Sequence, residues 1–213
     1  MESKRAKQFL SLDGKPILAL TLEPFQECSD VAAVILVVPP DDVEYCKKEI
    51  VERFGFTKVK KIVPGGKRRQ DSVRLGLEAA EGKYDLVLIH DGVRPLIEKG
   101  LIERVIEEAI TNRAVITALP AKETVKEVND LRDVVKTYDR ERVWMVQTPQ
   151  AFRYQDILKA HQNALKEGWE EVTDDALLVE RSGITVKVVE GSEKNIKVTT
   201  PHDLKLARFL LRS

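Results

Sequence analysis

The sequence predicts an α/β protein built on a doubly wound, mostly parallel sheet with one projecting β-hairpin arm. Short β-branched runs recur at 31–38, 58–63, 86–89 and 114–119, each stopped by proline, glycine or a charged turn. That is the pattern of strands buried on both faces. Amphipathic stretches of helical period fill the intervals, so strand and helix alternate as in right-handed βαβ units. Between residues 120 and 148 the rhythm breaks: two short mixed stretches, 123–128 and 133–138, read as a hairpin standing off the core.

The elements follow in order. Residues 16–25 read as a helix and 31–38 as a strand closed by Pro39-Pro40. Asp41 or Asp42 is placed to cap a helix with Val43, Cys46, Ile50 and Val51 on one face. A strand over 58–63 leads through Pro64-Gly65-Gly66 into a helix over 70–80. After the strand ending at Ile89, Leu101, Val105 and Ala109, with Ile102, Ile106 and Ile110, mark an amphipathic helix. Beyond the hairpin, Thr148-Pro149-Gln150 is an abrupt polar stop. Residues 154–167 form a helix ended by Gly168, and Thr173 caps another running to about Arg181. Residues 184–189 and 195–199 read as strands; Thr200-Pro201 opens a last helix that buries Leu204, Ala207 and Leu211.

Composition narrows the function. Lys plus Arg and Asp plus Glu both number 35 in 213 residues, so no net field draws the chain to nucleic acid or a membrane. The length supports a single domain, 1–213, with 120–148 as an elaboration. Cys28 and Cys46 lie in unrelated contexts, and His90, His161 and His202 cluster with neither, so no zinc site is expected. No apolar run is long enough to span a bilayer and the first residues carry no signal peptide, which suits a cytoplasmic protein.

The chemistry gathers at the ends of the expected strands, where open α/β sheets bind ligands. Asp91 and Arg94 follow the apolar run 86–89 on a turn shaped by Gly92 and Pro95. Alone, this segment also reads as a strand-ending turn with a local ion pair. Gly65-Gly66-Lys67-Arg68-Arg69 joins a strand to a helix, so a ligand can approach the backbone closely beside three cations. The same segment fits a tight turn with a solvated basic face. Lys7 and Lys197 are further cations beside apolar segments, and Arg140 and Thr148 flank the hairpin. One carboxylate among several cations suits phosphoryl or nucleotidyl transfer. Neither Gly-Lys-Ser/Thr nor G-x-G-x-x-G occurs.

Six motifs stand in register along the chain: Lys7-Gln8-Phe9-Leu10, Gly65-Gly66-x-x-Arg69-x-x-Ser72-Val73, His90-Asp91-x-x-Arg94-Pro95, Thr148-Pro149-Gln150, Thr173-Asp174 and Asn195-Ile196-Lys197-Val198-Thr199. Together they resemble the 2-C-methyl-D-erythritol 4-phosphate cytidylyltransferase family of the non-mevalonate isoprenoid pathway. The resemblance implies a Rossmann-like nucleotidyltransferase fold and transfer of CMP from CTP to the methylerythritol phosphate, with Mg²⁺ and release of pyrophosphate. It implies a homodimer in which each hairpin arm reaches the other subunit's site. Carried over by position, Gly66, the backbone of Lys67, and Ser72 would read cytosine, and Lys7 and Lys197 would stabilise charge at the α-phosphate. Asp91, Arg94 and Thr173 would position substrate, while Thr124, Arg140 and Thr148 would hold the methylerythritol phosphate. No residue is assigned as a metal ligand.

The sequence departs from that family in two places. Lys67 replaces an acidic or small residue, which leaves a backbone contact there. The family also opens with a buried strand and a glycine-rich, arginine-bearing loop ahead of the segment matching residues 1–7. The expectation is therefore a chain shortened at its start, a sheet lacking one strand with a neighbouring edge exposed, and half of the triphosphate cradle missing. A sister cytidylyltransferase acting on ribitol 5-phosphate, or a non-catalytic nucleotide-binding remnant, stand as the alternatives.

Overall fold

The computed structural model describes residues 6–169 and 172–212; the opening residues 1–5 of the segment matched to the family lie outside that range. A small antiparallel hairpin, β1 (Ser11–Leu12) and β2 (Lys15–Pro16), leads into α1 (Ile17–Glu27). β3 (Val34–Val38) and β4 (Val59–Pro64) pair in parallel. Between them runs α2 (Val43–Tyr45), which continues as a π-helical stretch over Cys46–Glu52. Neither Asp41 nor Asp42 caps it: Pro40–Asp42 forms a 3₁₀ turn and no side-chain cap bond is made. α3 (Arg69–Ala79), β5 (Leu86–Ile89), α4 (Lys99–Thr111) and β6 (Ala114–Pro120) follow the expected alternation.

The arm is the antiparallel hairpin β7 (Lys126–Val128) and β8 (Val134–Thr137). It returns through β9 (Trp144–Arg153), a ten-residue strand. Thr148-Pro149-Gln150, expected as a stop, lies inside this strand. β9 runs antiparallel between β5 and β6, so the order of the main sheet is β10-β6-β9-β5 and the sheet is mixed. The strand tolerates a proline because the register shifts there. Ile116 faces Gln150 and Thr117 faces Gln147, so residues 148 and 149 bulge out of the ladder, and Pro149 need not donate. The Thr117 hydroxyl donates to the Pro149 carbonyl instead, at 3.1 Å.

α5 (Tyr154–Lys166), α6 (Asp175–Arg181), β10 (Lys187–Glu190) and α7 (Pro201–Arg212) complete the chain. Asp174, not Thr173, caps α6, accepting the Leu177 N–H at 3.1 Å. Residues 195–199 form no ladder; the segment has no regular secondary structure and is tied by the Val198 N–H to the Val93 carbonyl. α7 buries Ala207 and half-buries Leu204, but Leu211 stays exposed.

Period-two alternation sends each strand to both helical layers. Val115, Ala151, Leu86 and Leu88 pack with Leu101, Ile102 and Val105 of α4. Ala114, Ile116, Phe152, Val87 and Ile89 pack with Ile157 and Ala160 of α5 and with Leu178 of α6. Each such large apolar side chain, once buried, contributes about 1.5–3 kcal/mol. Val34 and Ile35 of β3 enter the same two clusters as β5. Among the described residues no ladder joins those strands, so the edges they turn toward each other are unpaired.

Candidate functional site

Asp91 stands where β5 stops, and three cations from three segments converge on it. Lys197 Nζ lies 3.2 Å and Arg94 Nε 3.3 Å from its Oδ2, and Arg69 Nε lies 3.6 Å from its Oδ1. Burial pushes the Asp91 carboxyl up, but the Lys197, Arg69 and Arg94 charges outweigh that and hold it below the usual carboxylate value. Three cations against one carboxylate leave positive charge for an anionic ligand. Lys197 is its most accessible source, with a side chain 42% exposed.

The cations are held as firmly as the carboxylate. Arg94 is buried, and its Nη1 donates to the Asn195 carbonyl at 2.7 Å. Asn195, wholly buried, donates through Nδ2 to the Thr148 carbonyl at 2.8 Å. The segment bearing Lys197 is thus laced to β9. Lys7 joins the same segment, its Nζ donating to the Thr199 carbonyl at 2.5 Å. Thr148 Oγ1 accepts the Asp91 N–H at 3.1 Å and pairs with His90 Nδ1 at 3.0 Å. Burial pushes the His90 imidazole down to about 3, which leaves it neutral beside the arginines.

The glycine turn lies on the other side of Arg69. Gly66 donates its N–H to Ser72 Oγ at 3.1 Å, and the Ser72 hydroxyl donates to the Arg68 carbonyl. A Cβ on Gly66 would lie 2.4 Å from Asp71 Cβ, so the loop closes onto α3 only with glycine there. Lys67 is exposed, with its backbone on the turn. Arg69, the first residue of α3, ties this loop to Asp91 and, through Nη2 at 2.7 Å, to Asp175 on α6.

The structure therefore brings Asp91, Arg94, Lys197, Thr148 and Lys7 into one corner and sets Gly66 and Ser72 beside it by way of Arg69. Thr173 is exposed at the entrance to α6. Thr124 and Arg140 are exposed on and below the arm; among the described residues no hydrogen bond or ion pair joins them to the Asp91 group. Sequence reasoning missed Asn195, Gln150 and Asp175 as parts of the site, and gave Arg69 no role of its own. Gln150, also fully buried, donates to Asp174 at 2.9 Å and so fixes the start of α6. The available signal was a polar residue flanked by a strand's apolar run.

Among the described residues no group of three or more His, Cys, Asp or Glu side chains is placed to hold a metal ion. Asp91 is the carboxylate at the ligand-facing corner, and cations already occupy both its oxygens. The residues present thus make no dedicated metal cage.

An α/β sheet whose strand ends carry a cation-ringed carboxylate beside a glycine turn defines the class of nucleotide-handling transferases. The comparisons agree in detail. The family model "IspD: 2-C-methyl-D-erythritol 4-phosphate cytidylyltransferase" matches residues 1–213. Relatives of that name from Alkaliphilus metalliredigens and Geotalea uraniireducens are 47% and 48% identical over 96% and 97% of this chain, and over 85% and 89% of their own lengths. The crystal structure of the 4-diphosphocytidyl-2C-methyl-D-erythritol synthase from Anaerococcus prevotii superposes with a TM-score of 0.89 at 35% identity, covering 97% of this chain and 93% of that one. The cytidylyltransferase from Thermus thermophilus gives 0.81 at 36% identity, covering 97% and 94%. The chain belongs to the 2-C-methyl-D-erythritol 4-phosphate cytidylyltransferase family. Neither the ribitol acceptor nor the non-catalytic remnant finds support in these relatives.

Proposed function

We propose that this protein transfers CMP from CTP to 2-C-methyl-D-erythritol 4-phosphate and releases pyrophosphate, as the names of its relatives describe. The observation that carries the reading is the Asp91 group, with cations from α3, from the β5 turn and from residue 197 set beside the glycine turn. An oxygen of the acceptor phosphate attacks the α-phosphorus of CTP; a new P–O bond forms and the α–β bond breaks. Two anions must approach each other, so fixed positive charge is what the site has to supply. Lys197 and Lys7, both on the accessible side, stabilise charge growing on the α-phosphate. Asp91 and Arg94 orient the substrates, with Thr173 at the rim and Thr148 beside Asp91.

Base selectivity follows from the turn. The Gly66 N–H is used by Ser72, so the Gly66 carbonyl is left to read the base. A carbonyl accepts from the exocyclic amine of cytosine and repels the carbonyl that uracil carries in that position. Lys67 contributes through its backbone. Mg²⁺ arrives on the triphosphate as part of the substrate.

The protein acts as a homodimer through the 120–148 arm. Val128, Leu131, Val134, Val135 and Met145 are exposed on the arm or at its base, Leu131 to 82%, a density of apolar surface that a second copy would cover. Thr124 and Arg140 then serve the neighbouring subunit's acceptor phosphate, for which a guanidinium offers two parallel donors. No described helix is long and apolar enough to cross a membrane, and the place of action is the cytoplasm. The test is pyrophosphate release from each of CTP, UTP, ATP and GTP, with methylerythritol phosphate or ribitol 5-phosphate as acceptor. Turnover confined to CTP with methylerythritol phosphate is expected; equal turnover with UTP, or a preference for ribitol phosphate, overturns the reading.

A further inference from the structure

Behind the site runs a chain of polar side chains that leads from the core to Asp91. His161 Nε2 donates to Asp175 Oδ1 at 3.1 Å. Asp175 Oδ2 grips Arg69 Nη2 at 2.7 Å, and Arg69 Nε turns to Asp91. His161 and Asp175 are buried, with side chains 2% and 1% exposed. Each comes from a different helix: His161 lies on the inner face of α5 with Ile157 and Ala164, and Asp175 opens α6. The adjoining carboxylate, Asp174, already performs the capping, so α6 does not need Asp175 for its own start.

We infer that Asp175, steadied by His161, is a positioning residue: it fixes the Arg69 guanidinium against Asp91 and thereby sets the distance between the glycine turn and the catalytic corner. The physical case rests on geometry. Arg69 is the first residue of α3, three positions after Gly66, so wherever its guanidinium is anchored the turn is anchored too. An arginine held by one partly exposed carboxylate swings; held in a fork between two carboxylates, one of them buried, it has a single position. A misplacement of about 1 Å between the nucleotide turn and the reacting groups is enough to cost on the order of a hundredfold in rate. The pair also keeps the local charge constant, because Arg69 and Asp175 cancel and Lys197 and Arg94 remain against Asp91.

The inference rests on the function proposed above, but it has a readout that does not. The Nε–Hε resonance of Arg69, followed by ¹⁵N NMR in the unliganded protein, reports whether the guanidinium is fixed. In wild type it is expected to exchange slowly with water, and in Asp175→Asn to broaden or vanish while the backbone spectrum stays folded. An unchanged resonance overturns the inference. In turnover assays Asp175→Asn is expected to lower kcat/KM about ten- to a hundredfold, and to add nothing in an Arg69→Lys background, because lysine cannot hold both carboxylates. Additive losses would show that Asp175 acts by another route and sink the proposal. Should Asp175→Asn fail to fold, Arg69→Lys alone decides: about a tenfold loss supports the inference and wild-type kcat/KM overturns it. If wild type transfers no cytidylyl group, the functional reading fails, and the Arg69 resonance still settles this one.

Discussion

At the end of β5, Asp91 is held by cations from three segments, of which Arg69 and Arg94 are anchored in turn to buried groups; on the arm, the exposed Arg140 guanidinium donates to the Lys122 carbonyl at 3.4 Å. The first region is a finished arrangement. The second is closed at its base by the Ala121 N–H to the Val143 carbonyl, meets the body where Lys122 pairs with Glu193, and shows its valines to solvent. The difference teaches where each half of the chemistry is organised. The Asp91 corner is organised by this chain's own core; on the proposal that Thr124 and Arg140 serve the acceptor of a neighbouring subunit, the acceptor side is completed only by a second copy.

The sharpest way to break the comparison is at its fixed pole. Lys197→Ala removes the most accessible cation and is expected to lower kcat about a hundredfold, roughly 3 kcal/mol of barrier, while the dissociation constant for CTP changes much less. Near-normal turnover would return Lys197 to an ordinary surface lysine. At the other pole, Arg140→Ala is expected to weaken use of the acceptor about tenfold or more. Mixing Arg140→Ala with Lys197→Ala subunits should restore one intact site per heterodimer. No recovery where subunit exchange is demonstrated would place Arg140 in its own chain's site or outside the chemistry. Gly66→Ala sharpens the nucleotide side. With the new Cβ driven to 2.4 Å from Asp71 Cβ, the turn must shift, and CTP affinity should fall about tenfold with little change in the pH dependence of turnover. Calorimetric titration with CTP measures it.

A separate effect, on stability and not on rate, concerns the neutral histidine behind Asp91. Its folded pKa, about 3, lies below the ordinary imidazole value of 6.5. Between those values the unfolded chain binds the proton and the folded protein does not, so stability falls as pH drops through that window. The slope approaches about 1.4 kcal/mol per pH unit. Carboxylates with lowered values, Asp91 among them, act in the same sense, so the slope must be taken as a difference. Denaturant melts of wild type and His90→Gln from pH 7 to pH 4 should diverge with that slope below about pH 6.5; parallel curves would mean that His90 charges in the folded state.

The sequence disclosed the strands whose two faces are apolar, because burial on both sides leaves an unbroken run that needs no partner to be recognised, and the amphipathic helices by their period. Asp91, Arg94 and Lys197 were legible for the same reason, as charges that interrupt or border such runs. β9 was not legible. Its Gln147-Thr148-Pro149-Gln150 stretch is polar because it serves Asn195, Asp91 and Asp174, and its proline sits at a register shift that appears only when β6 is beside it. Asp175 was hidden because the cap was read at Thr173, and the split of duties between Asp174 and Asp175 depends on Arg69, more than a hundred positions away. His161 was read only as one of three scattered histidines, because its partner lies on the next helix. The missed residues share one property, a partner distant in sequence.

β9 also bears on how this chain can change over time. Within ten residues it carries the exposed base of the arm at Trp144–Val146, the clasp on the Lys197 segment at Gln147, the seat of Asp91 at Thr148 and the tie to α6 at Gln150. Successive residues of a strand face opposite ways, so one inserted or deleted residue reverses every side chain beyond it. Length variation in lineages carrying this fold should therefore collect in the β7–β8 turn and be purged from 144–150, even though both stretches belong to the one excursion of chain between β6 and α5.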